Sequence, residues 1–88
     1  MRLIFDFIWQ MDALFEFQLL RMRVERFKSV WSTFPNKNSI DQDRVRTIDY
    51  ILTSITDVLD TRDTSLKALM FLTYLLTTLQ RMFDNLYN

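Results

Sequence analysis

Apolar positions recur at helical spacing along three stretches of the chain, separated by two short polar breaks. The first stretch runs from about Arg2 to Phe34 without Pro or Gly and reads as one long helix. Its apolar residues form two stripes. With residues placed about 100° apart, Trp9, Ala13, Phe17, Leu20, Val24, Phe27, Trp31 and Phe34 line one face. Ile4, Ile8, Met11, Phe15, Leu19 and Met22 line a second. Polar and charged residues separate the two: Asp12, Glu16 and Arg23 on one side, Asp6, Gln10, Arg21, Arg26 and Lys28 on the other. A helix apolar on two faces has to be covered twice.

The break Pro35-Asn36-Lys37-Asn38 ends this helix, because proline pushes the preceding Phe34 out of the helical region. Ser39-Ile40-Asp41-Gln42 then matches a capping box, with Ser39 as N-cap and Gln42 at N3. The second helix, about 40–60, has one clean apolar sector: Val45, Ile48, Ile51, Leu52, Ile55, Val58 and Leu59. The second break, Asp60-Thr61-Arg62-Asp63-Thr64, offers Thr61 or Asp63 as the next N-cap. Neither Gly nor Pro enforces it, so one continuous helix from Ile40 to Tyr87 is the alternative. The third helix, about 64–87, is the most apolar. Leu69, Leu72, Leu75, Leu76, Leu79, Met82, Phe83 and Leu86 form a broad face, and Met70, Phe71 and Tyr74 spill onto the far side. The pattern predicts an all-α, single-domain chain over 1–88. It reads as a three-helix unit assembled as a dimeric helical bundle.

Composition narrows the chemistry. The 88 residues include no Gly, Cys or His and a single Pro. Without Gly, tight hairpin turns and glycine-loop nucleotide sites lose their usual residue. Without Cys and His, thiolate catalysis, the usual metal ligands and the usual general base are missing. The remaining carboxylates do not make up for this. Asp12 and Glu16 stand one turn apart, but helical di-metal sites add histidines that this chain lacks. Asp57, Asp60 and Asp63 surround the second break without the glycine of a calcium loop. No enzyme activity, cofactor or metal is expected.

Charge adds little pull toward a partner. Eleven basic and eleven acidic residues cancel. Arg21, Arg23, Arg26 and Lys28 form one basic cluster, the candidate contact for an anion or nucleic acid. Their spread around the helix, and the favourable place of cations late in a helix, argue against that role. The longest uncharged run, Ala68–Gln80, is too short to span a bilayer. The acidic first twenty residues disfavour anionic lipid.

The expectation is a small cytoplasmic, non-enzymatic interaction module of the adaptor, assembly-factor, chaperone or inhibitor type. Its partners are a second copy of itself and another protein, met at the face Ile4, Ile8, Met11, Phe15, Leu19 and Met22. Two other readings are an obligate homo-oligomer that binds nucleic acid through the basic cluster and a peripheral membrane-interface protein. The core assignment carries its own test. Leu52→Asp buries an uncompensated carboxylate and should abolish the folded state, seen as loss of far-ultraviolet circular dichroism.

Overall fold

A computed structural model describes residues 2–87, with side chains from Leu14 to Leu86. Helix α1 spans Arg2–Ser32, α2 spans Gln42–Asp60 and α3 spans Leu66–Tyr87; a 3₁₀ turn at Lys37–Ser39 lies between α1 and α2. There is no strand among the described residues. The three-helix, all-α reading holds, and the continuous second helix does not form.

The chain runs up, down and up. Near the end of α1, Trp31 meets Asp49 of α2; near the end of α2, the Leu59 carbonyl meets Arg21 of α1. Helix α2 is therefore antiparallel to α1. Helix α3 returns alongside α1, so that Phe83 stacks on Phe27 at 5.1 Å between ring centroids. Each helix packs against both others.

The helix boundaries differ from the sequence pattern in three places, each with a local cause. Helix α1 stops at Ser32, two residues short of Phe34. The Thr33 hydroxyl bonds back to the Ser29 carbonyl, and the Phe34 N–H bonds to Trp31 only three residues back. The last turn tightens ahead of Pro35. The capping box at Ser39 is not used. Ser39 ends the 3₁₀ turn, with its hydroxyl on the Asn36 carbonyl, and Asp41 caps α2 by accepting from the Asp43 N–H. The Gln42 amide instead donates to the Lys37 and Ile40 carbonyls. At the start of α3 the cap is Ser65, whose hydroxyl accepts from the Ala68 N–H, rather than Thr61 or Asp63.

The α2–α3 break is made without glycine. Arg62 takes φ 58°, in the left-handed region. Helices often end on such a residue, usually glycine, and for an arginine it costs roughly 1–2 kcal/mol. Hydrogen bonds hold the turn. The Thr61 hydroxyl donates to the Val58 carbonyl and accepts from the Asp63 N–H. Asp63 accepts from the Ser65 N–H. The Ser65 backbone N–H and then its hydroxyl hold the Asp63 carboxyl below its ordinary pKa of 3.8, with the Lys67 charge adding to the effect and burial opposing it. A lowered folded-state pKa stabilises the fold above pH 3.8, and that contribution is lost as pH falls through the folded value.

The core is built from one stripe of each helix. Leu20, Val24 and Trp31 come from α1, Ile48, Ile51, Leu52, Ile55 and Leu59 from α2, and Ala68, Leu72, Leu76, Leu79 and Phe83 from α3. Phe17, Phe27 and Phe34 pack against its edge. All but Ala68 are predicted core positions; of the others predicted, Val45, Val58, Leu69, Leu75, Met82 and Leu86 are partly buried against the core, and Trp9 and Ala13 lie outside the described side chains. Each fully buried aliphatic side chain contributes about 1.5–3 kcal/mol.

Trp31 joins all three helices. It is buried, and its indole N–H donates to the Asp49 Oδ1 at 2.7 Å. Its ring lies 5.8 Å from Phe83 and 5.6 Å from Phe34, and the Lys37 ammonium sits 4.5 Å from the ring centroid. Asp49 supplies the acceptor that a buried indole N–H requires. Asp49→Ala should lower unfolding stability by about 1–3 kcal/mol, while Asp49→Asn should recover most of the loss. Urea titration checks both. Equal losses in the two variants would show that the indole hydrogen bond is not what Asp49 provides.

Candidate docking face

Helix α1 presents its first stripe to α2 and α3 and leaves the other side open. Of the second-stripe residues, Phe15 is 60% exposed, Leu19 is 40% exposed and Met22 is 68% exposed. Ile4, Ile8 and Met11 continue this stripe in the sequence, but their side chains lie outside the described residues. Val30 extends the exposed stripe toward the end of the helix. Leu14 is exposed as well, at one edge of the stripe. The two-stripe pattern assigned Leu14 to neither face, because it falls between them around the helix.

A second exposed apolar patch lies on α3. Leu66, Met70, Phe71 and Tyr74 all stand in solvent, with Tyr74 at 68% exposure. Met70, Phe71 and Tyr74 are the residues that spilled past the core sector in the sequence; Leu66 joins them in the structure. Lys67 and Arg81 share this outer side, and both are exposed. Tyr50 of α2 is exposed too and belongs to neither patch.

The basic cluster does not come together as one site. Arg21 turns toward α2 and donates to the Leu59 carbonyl at 3.4 Å. There it meets the negative end of the α2 dipole. Lys28 pairs with Glu25 at 3.8 Å along the same helix. Arg23 and Arg26 line a groove of about 280 Å³ between α1 and α3, with Phe27, Val30, Gln80, Phe83 and Asp84. One cation is spent at a helix end, one in a local ion pair, and two face α3.

A larger open cleft of about 630 Å³ lies where α1 passes the α2–α3 turn. Leu14, Phe17, Gln18 and Arg21 form one wall; Leu59, Asp60, Arg62, Asp63 and Thr64 form the other. Its charges are mixed, two arginines against two aspartates, so it favours no ligand of one sign. Sequence spacing gave no signal for it, since its walls are far apart in the chain.

Among the described residues no group of three or more Asp, Glu, Cys or His could hold a metal ion. Asp57, Asp60 and Asp63 make no such group, and the side chain of Asp12 lies outside the described residues. No described helix is long and apolar enough to cross a membrane. No buried side-chain polar atom among the described residues lacks a hydrogen-bond partner.

No family model, curated protein or solved structure matches the chain.

The placement of Arg21 predicts a structural role. Arg21→Ala should cost about 0.5–1.5 kcal/mol of stability through loss of the bond to the Leu59 carbonyl. Arg23→Ala, with no such bond, should cost less than about 0.5 kcal/mol. Thermal melts of the two variants separate these outcomes.

Proposed function

We propose that this chain is a small non-enzymatic protein–protein interaction module that acts by hydrophobic helix–helix docking and assembles as a homodimer through α1. The observation that carries the reading is the exposed run Phe15, Leu19 and Met22 on the side of α1 away from the core. Contiguous apolar surface rimmed by charge marks interaction sites on folded chains. Methionine suits such a surface, because its unbranched, polarisable side chain adapts to different partners.

In this reading the chain works as an adaptor, assembly factor, chaperone or inhibitor, in a cytoplasmic setting. The exposed patch on α3, centred on Met70, Phe71 and Tyr74, offers a second protein a place to dock once α1 is paired. Nucleic-acid binding finds less support. Arg21 and Lys28 are already engaged within the chain, and Arg23 and Arg26 face a groove rather than a continuous stripe. Insertion into a membrane interface calls for a basic polar face opposite the aromatic residues, and Glu16 and Glu25 interrupt any such face here.

Absolute molar mass by light scattering, across concentration and at two salt levels, tests the proposal. The expected result is twice the 10.7 kDa chain mass, independent of salt. Phe15→Glu combined with Met22→Glu should return the mass to 10.7 kDa with helix content unchanged. A wild-type monomer at every concentration, or a dimer indifferent to the double substitution, overturns the reading.

A further inference from the structure

The charges beside the exposed stripe of α1 say how a second copy would lie on it. Phe15, Leu19 and Met22 form the stripe, Arg26 interrupts it one turn further on, ahead of Val30, and Glu16 and Arg23 lie along the same edge of it, seven residues or two helical turns apart. Both side chains are exposed. Neither makes a hydrogen bond or ion pair within the chain among the described residues. The opposite edge carries Gln18 and Glu25, with Glu25 already paired to Lys28.

An edge that bears one acid and one base is complementary to itself only when reversed. We infer that two copies pair antiparallel along α1, with the two-fold axis between Leu19 and Leu20 and Glu16 of each copy facing Arg23 of the other. This rests on the docking reading above and adds the identity and direction of the occupant. In an antiparallel pair, like edges meet, so each Glu16–Arg23 contact occurs twice and the Phe15 and Met22 side chains of the two copies interleave. In a parallel pair the Glu16–Arg23 edge would meet the Gln18–Glu25 edge instead, and Glu16 would have no base opposite it. The antiparallel arrangement also opposes the two α1 dipoles, with unlike ends side by side. Exposed ion pairs add little affinity, but like charges placed opposite one another penalise the wrong arrangement.

Charge reversal and a distance measurement test the orientation together. Glu16→Arg alone and Arg23→Glu alone should each weaken the dimer about ten-fold, because each places two like-charge contacts across the axis. A one-to-one mixture of the two variants should recover wild-type affinity as a heterodimer, and the double variant E16R/R23E should recover it as a homodimer. The chain has no Cys, so Ser32→Cys gives a single site for a spin label. At about 1.5 Å per residue the labels should stand about 40 Å apart in an antiparallel pair and under about 20 Å in a parallel one.

A dimer that is split by Phe15→Glu with Met22→Glu but gives the short distance overturns the antiparallel pairing and leaves the docking face in place. Single reversals without effect, or a mixture that fails to recover affinity, likewise overturn the pairing alone. A wild-type monomer, or a dimer unaffected by the apolar double substitution, overturns both.

Discussion

Two helices laid on one side of a third can bury only that side, and this limit shapes the whole molecule. Helix α1 carries apolar residues around much more than the sector that α2 and α3 can reach. Leu20, Val24 and Trp31 go into the core, while Phe15, Leu19 and Met22 stay in water. The two stripes offer different side chains. The first stripe holds Phe27, whose ring stacks on Phe83, and Trp31, whose ring meets Phe83 at a tilt; both bring together the ends of α1 and α3. The second holds Met22, with its flexible side chain, beside Phe15 and Leu19. The stripe with the large rings is the one that is buried.

Trp31 also settles how the helices sit along one another. A buried indole needs an acceptor for its N–H, and Asp49 provides it from the first half of α2. That polar contact has a directional requirement that dispersion contacts lack. At the far end of α2, Arg21 reaches the Leu59 carbonyl, so the antiparallel pair α1–α2 is tied by a hydrogen bond in the first half of α2 and another at its end. Apolar packing between the two ties is then held in one register. The chain manages this without glycine, even at Arg62, where the left-handed backbone is held by neighbouring Thr61, Asp63 and Ser65 bonds instead.

The charged residues do two kinds of work. Arg21, Lys28, Asp49 and Asp63 are engaged inside the fold, at helix ends, in turns or in local pairs. Glu16 and Arg23 are not, and they border the same uncovered stripe. A surface of that kind combines an apolar area that gives affinity with a charged edge that gives direction. The reading as a docking module rests on the apolar residues being contiguous, since single exposed apolar side chains are ordinary on folded proteins, and the charged edge bears on the direction of pairing alone.

The sequence by itself determined the number and type of elements and most of the core. Helical periodicity with no Gly and one Pro leaves few alternatives to three helices. The clean sector of α2 named its buried residues because a one-sided helix can be packed only one way, and the broad face of α3 named all of its own but Ala68. Caps were less legible. Ser39 has the right neighbours for a capping box, yet Asp41 takes the role because the 3₁₀ turn ties the Ser39 hydroxyl to Asn36. The tertiary structure alone decided which stripe of α1 is inside, since both satisfy the same periodicity. It also decided that Asp49, Arg21 and Lys28 are internal partners rather than a free polar surface. Those contacts join residues distant in the chain or depend on side-chain reach, and spacing along one helix carries no information about what another helix brings beside it.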